Sequence, residues 1–217
     1  MGVTGGLGVA AAFRGHNRAV GDANARGLEA VEGRPASAVV LVEGASDRAA
    51  LEALAERRGR DLDAEGIEVL PIGGAQAIGH YLEVFGTAAD VRLAGLCDAG
   101  EERHFRHALE RAGLGTRLTR AGMEHLGFFV CEADLEDELI RALGGDAVVG
   151  VIEAEGDLGP FLTFQKQPAW QGRPLESQLR RFMGSGGSRK VRYARLLVEA
   201  LDLTRMPRPL DRVLAHV

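Results

Sequence analysis

Between Ala38 and Leu143 the chain repeats one unit four times: a short apolar run, then a stretch whose apolar residues have helical spacing. The first run, Ala38-Val-Val-Leu-Val42, is continuous, largely β-branched and stops at Glu43-Gly44. That is the pattern of a strand buried on both faces. The helix expected next carries Ala50, Leu51, Leu54 and Ala55 on its apolar side, with Ser46 or Asp47 as its cap. Ile67–Ile72, Val91–Cys97 and Gly127–Cys131 are the next three strands. Helices through Ile78, Tyr81, Leu82 and Phe85, and through Phe105, Ala108 and Leu109, separate them. Strands that alternate with helices need crossover connections, which give a parallel sheet with helices on both faces.

Beyond Asp134 the pattern turns wholly helical, over Leu135–Leu143, Ala147–Ala154, Leu175–Met183 and Val191–Leu201, with a short turn after Pro207 and Pro209. Ahead of the repeats, Met1 to Ala36 is rich in Gly, Ala and Arg and weakly periodic, with one helix expected over Ala23–Val31. The expected organisation is a flexible arm over 1–36, an α/β core over 37–133 and a helical C-terminal extension over 134–217. With 46% hydrophobic and 26% charged residues, a core of this size is well supplied. Two cysteines exclude a disulfide scaffold and a four-thiolate zinc site and suit a reducing compartment. The apolar stretch Gly5–Phe13 is too short to span a bilayer, so a soluble cytoplasmic protein with no membrane partner is expected.

The net charge of -5 conceals a division. Residues 1–164 hold 15 basic and 27 acidic residues, whereas 165–217 hold 11 basic and 4 acidic ones. Such asymmetry points to a polyanion-facing segment. Only Lys166 and Lys190 are lysine, against 24 arginines, so a lysine retained here invites a chemical reason.

Functional groups of an open parallel sheet collect at the carboxyl ends of its strands. Here those ends bring Glu43 and Asp47, then Asp98 with Glu101 and Glu102, then the run Glu132 to Glu138. Adjacent strands lie ~4.8 Å apart, so carboxylates at their ends can share a hard cation. Mg²⁺ or Mn²⁺ used for phosphoryl chemistry is the expected cofactor. Capping of helix N-termini by acids explains Asp47 or Asp134 taken singly, but Glu43, directly at the end of an apolar strand, is not a typical cap.

Val42-Glu43-Gly44 with Asp47, Leu96-Cys97-Asp98, and the acidic segment after the fourth strand together resemble the TOPRIM domain of topoisomerases, bacterial primases and OLD-family nucleases. The Glu-Gly-x-x-Asp spacing is most similar to the OLD-family version. So are Asp134-Leu-Glu-Asp-Glu-Leu139 and the basic Ser188-Arg-Lys-Val-Arg-Tyr-Ala-Arg-Leu-Leu197. The resemblance extends from about Ala38 to Val217.

It implies a Rossmann-like core and metal-dependent phosphodiester hydrolysis, normally with two ions. Glu43 would be a ligand or general acid/base, Asp47, Asp98 and one of Glu136 and Glu138 further ligands, and Lys190 a catalytic cation. The family's second Asp falls on Gly100, a departure for which Glu101 and Glu102 are the candidate substitutes. Arg189, Lys190, Arg192, Arg195 and Lys166 would contact nucleic acid, DNA in preference to RNA. OLD nucleases carry an ATPase domain ahead of this part, but no Gly-x-x-x-x-Gly-Lys-Ser/Thr run is present, so no ATP site is expected. A separate ATPase or a second copy of the chain is a candidate partner.

Several other readings are weaker. With only Tyr81 and Tyr193, and no room for a strand-passage domain, a topoisomerase is disfavoured. A receiver-like domain phosphorylated on Asp98 lacks its paired acids and fifth strand. His104 and His107 lie three apart, yet no cysteine pair accompanies them. Trp170 is either a base-stacking residue or a packing residue. Gly184-Ser-Gly-Gly-Ser188 is expected to be a flexible loop before Lys190. The chief alternative to a nuclease is a catalytically weakened TOPRIM module that binds nucleic acid or a partner protein.

Overall fold

The computed structural model describes residues 36–85 and 91–217; the expected N-terminal arm and the helix over Ala23–Val31 lie outside them. Four strands form one parallel sheet: β1 (Ala38–Val42), β2 (Ile67–Pro71), β3 (Arg92–Cys97) and β4 (Phe128–Val130), in the order β2-β1-β3-β4. Val42 pairs with Pro71 on one side and Leu96 on the other, so the carboxyl ends of β1 and β3 lie side by side. The chain leaves β1 towards β2 and then returns across it to β3, which makes the gap between β1 and β3 the topological switch point.

Every residue of β1 is buried. Ala38, Val40 and Val42 enter one apolar cluster, Val39 and Leu41 the other, as the two-residue period of a strand requires. Over the Val39 face lie α3 (Ile78–Phe85), α4 (Glu102–Arg111) and α5 (Arg120–His125). Over the opposite face lies α1 (Ala45–Arg57), after which a short α2 (Leu62–Glu65) leads into β2.

The remaining helices are α6 (Leu135–Leu143), α7 (Gly145–Ala154), α8 (Leu158–Gln165), α9 (Leu175–Met183), α10 (Gly187–Ala200) and α11 (Arg208–His216). They do not form a separate globule. Leu139, Phe161, Leu179, Tyr193, Leu197 and Val213 share one cluster with α1 and the Val40 face of the sheet. Arg57 ties the end of α10 down by donating to the carbonyls of Val198 and Leu201. Arg60 and Arg92 do the same for Leu214 and His216 of α11. Cations there complement the carbonyl-rich helix ends.

Gly95 in β3 is dictated by packing: a Cβ would sit 2.6 Å from the Phe128 ring and 3.0 Å from the Leu41 carbonyl oxygen. Two expectations need correction, and one further helix is added. The turn after Pro207 and Pro209 is the helix α11, because proline is well suited to a first helical turn, where no backbone N–H is required. Helix α8, which has Gly159 and Pro160 in its own first turn, was not expected. The glycine run before Lys190 ends early, since α10 begins at Gly187 and Lys190 lies in its opening turns.

Candidate metal centre

Glu43 follows β1 and Asp98 follows β3, so the register of the sheet sets them together. The Asp98 amide donates to Glu43 Oε1 at 2.8 Å. Asp47 lies in the first turn of α1, not ahead of it, and its Oδ2 reaches back to accept from the Gly44 amide at 2.8 Å. Glu136 arrives from α6, whose N-cap is Asp134; the Asp137 amide donates to Asp134 Oδ1 at 2.8 Å. From the far side, α10 brings Lys190, with Nζ 3.4 Å from Glu136 Oε2.

The electrostatics are those of crowded acids around one cation. Burial above all, with the neighbouring charges of Glu43, Asp47 and Asp134, pushes Asp98 up to about 7 against the opposing effect of Lys190. Burial likewise takes Asp47 up to about 6, against the Gly44 amide and Lys190. Glu43 and Glu136 are also raised, burial being the chief cause in each. Burial pulls Lys190 down, but Glu136, Asp47 and Asp98 outweigh it, so the ammonium holds its proton above the usual lysine range. The N-terminal end of α10 adds partial positive charge on the same side.

Among the described residues, no three His, Cys, Asp or Glu side chains converge into a ready-made metal cage. The donor set nevertheless fits a hard divalent cation, being all carboxylate oxygen. Glu136 also supplies a direct mark: its Oε1 is buried and has no hydrogen-bond partner. A buried, unsatisfied carboxylate oxygen is costly unless something charged meets it.

Beside Lys190 opens a cleft of about 410 Å³, lined by Asp134, Glu136, Trp170, Arg180, Arg181 and Lys190 among others. Residues 36–99 match the family model described as "Overcoming lysogenization defect protein-like, TOPRIM domain". The C-terminal region of the Burkholderia pseudomallei OLD protein superposes with a TM-score of 0.62 at 22% identity, covering 83% of this chain and 96% of that one. The C-terminal region of the Xanthomonas campestris pv. campestris OLD protein gives 0.63 at 25% identity, covering 84% and 92%. The search of curated proteins found no match. The fold likeness thus runs past the TOPRIM domain into the helical part that carries Lys190. TOPRIM domains generally use divalent metal ions. No described helix is long and apolar enough to cross a membrane.

The other residues expected at the TOPRIM site divide clearly. Glu138 is held elsewhere: its Oε1 accepts from the Glu132 amide at 2.7 Å, and its Oε2 from Arg141 at 2.8 Å. Of the two residues near Gly100, Glu101 is in electrostatic reach of Glu43, with His104 Nδ1 2.8 Å from its Oε2. Glu102 instead faces Arg106 and Arg120. Two of the basic residues expected to meet nucleic acid are committed within the fold. Arg192 pairs with Asp157 and Glu155, and Arg195 with Glu56 and Glu199. Glu155, Asp157 and Glu56 lie so far off in sequence that charge counting could not reveal those pairings, whereas Glu199 is one helical turn from Arg195. Arg189 rests over the Phe182 ring, 4.5 Å from its centroid, and Lys166 is exposed at the end of α8. The structure adds Asp134 and Arg180, whose Nε donates to Asp134 Oδ2 at 2.6 Å. Asp134 lay in the legible acidic run; Arg180 had no signal beyond the basic C-terminal charge.

Proposed function

We propose that this chain is a divalent-metal-dependent phosphodiester hydrolase of the OLD type that acts on nucleic acid, DNA in preference to RNA. One observation carries the reading: the buried carboxylates of Asp47 and Glu136 and the half-buried ones of Glu43 and Asp98 lie within electrostatic reach of Lys190 at the topological switch point, and one buried oxygen of Glu136 has no partner.

Asp47, Asp98 and Glu136, with Glu43, are the residues that would hold Mg²⁺ or Mn²⁺, and Glu101 is the nearest stand-in for the carboxylate lost at Gly100. When bound, the ion supplies Lewis-acid polarisation of the phosphate and a more acidic water. Glu43, with its raised pKa and an orientation fixed by the Asp98 amide, takes the proton from the attacking water. Lys190 stays protonated and offsets the charge that develops on the phosphate oxygens. Arg181 and Arg180 continue the positive surface along the cleft for the flanking phosphates.

Gly100 favours a second reading, a weakened TOPRIM module that binds nucleic acid or a partner protein without cutting. The deciding experiment incubates supercoiled and linear DNA and RNA with the protein in Mg²⁺ or Mn²⁺, beside Glu43→Gln and Asp98→Asn. Cleavage lost in both variants supports hydrolysis. Cleavage equal in all three preparations, or absent from all while salt-sensitive binding persists, overturns it. A cytoplasmic location and a separate ATPase or second copy as partner are parts of the same proposal.

A further inference from the structure

We infer that Trp170 is the stacking platform for an unpaired nucleobase beside the carboxylate centre, so that the substrate is single-stranded or frayed at the point of attack. The inference rests on the proposed nucleic-acid function and specifies the substrate for the same site.

Trp170 lines the cleft together with Glu136, Lys190, Arg180 and Arg181, and it is half-buried. Its place is built in. The ring lies against Phe164, with centroids 5.1 Å apart, and Phe164 packs in turn on Phe161 and Phe182. The Trp170 amide donates to the Gln167 carbonyl at 2.8 Å. Its own carbonyl accepts at 2.8 Å from Nε2 of Gln178, a buried side chain whose Oε1 accepts from Gln165 at 2.6 Å.

The neighbours decide the kind of ligand. The cleft combines an indole with Arg181 and with Arg180 and Lys190, which pair with Asp134 and Glu136 in the same lining; an anion with a flat aromatic part, bridged to those acids by a divalent cation, suits it, and that is a nucleotide. Bases of an intact duplex are stacked on one another and offer no free face, whereas an unpaired strand does. A base on Trp170 would lie in the same cleft as Lys190 and Glu136, and so would set its adjoining phosphate beside the carboxylates.

Trp170 is the only tryptophan of the chain, so its fluorescence reports the contact directly. The full chain is titrated in EDTA with a thymidine oligonucleotide, a uridine oligonucleotide and a blunt duplex, and binding is followed in parallel by anisotropy of a labelled strand. Expected are quenching by a single strand but not by the duplex, and a loss of roughly tenfold in single-strand affinity in Trp170→Ala. Trp170→Phe, which keeps an aromatic face, should recover most of that affinity; whichever oligonucleotide quenches at lower concentration identifies the strand. If the wild type binds and cuts nucleic acid but is not quenched, and Trp170→Ala behaves like it, the stacking role is overturned and the hydrolase reading stands. If no nucleic acid is bound or cut under any condition, both fall together.

Discussion

The Asp98 amide donates to Glu43 Oε1 at 2.8 Å, which makes the carboxylate proposed as the base also a clasp between β1 and β3. Glu43→Gln keeps an oxygen that can accept this bond, whereas Glu43→Ala leaves the amide without it. Both variants should lose at least about 100-fold in hydrolysis rate, the usual scale for removing a general base. Only Glu43→Ala should also lower the melting temperature appreciably. Equal melting temperatures for the two would mean that the clasp contributes nothing to stability.

Asp98 titrates in the folded protein at about 7 instead of 3.8. Between those values the folded state holds a proton that the unfolded chain has released, so this group's contribution to stability falls as pH rises across the window. Asp98→Asn retains the shape but cannot ionise. Thermal melts in EDTA from pH 4 to 7 should therefore show the variant gaining on the wild type as pH rises, and added Mg²⁺ should close the gap. A gap independent of pH would show that Asp98 ionises at its ordinary value.

Lys190 and a divalent cation would satisfy the same carboxylates, Glu136, Asp47 and Asp98. Removal of the lysine should make the fold more dependent on the metal. In Lys190→Ala the rise in melting temperature on adding Mg²⁺ should exceed that of the wild type, while hydrolysis is lost. Differential scanning fluorimetry with and without Mg²⁺ reads the first effect, and an equal rise in both proteins would contradict it.

Gly100 stands where the TOPRIM resemblance leads one to expect a second aspartate, and the space beside it is open: a Cβ there meets nothing within 4 Å. Gly100→Asp should fold normally and tighten Mn²⁺ binding by about tenfold, since affinity at such sites follows the count of charged ligands. Calorimetric titration measures it. Unchanged affinity would place residue 100 outside the coordination sphere.

Gly95 has no such room. Gly95→Ala drives a methyl group into Phe128 and should destabilise by about 1–3 kcal/mol, as overpacked cores do. Chemical denaturation of Gly95→Ala beside Gly95→Ala/Phe128→Leu tests the cause, because removing the Phe128 ring should restore part of the loss.

The strands and the acids that follow them were legible because an apolar run that stops at a charged residue announces where a buried strand ends. Val42-Glu43 and Cys97-Asp98 are such stops, and the sheet register then forces the two acids together. Lys190 could be singled out by its motif, although the start of its helix could not, since Gly187 and Ser188 look like loop residues. What stayed hidden depended on tertiary packing. Trp170 joins the cleft only because α8 and α9 turn back on each other, and the segment that does so opens with a glycine and a proline. Arg192 and Arg195 looked free because Asp157 and Glu56 lie 35 and 139 residues away.

The apolar cluster common to α1, the sheet and the helices that follow has a last consequence. The acids are anchored in one part of it and the lysine in another, so they are expected to melt on one cooperative transition. A partly unfolded molecule would then present neither half in working order, so the proposed chemistry would be confined to fully folded copies.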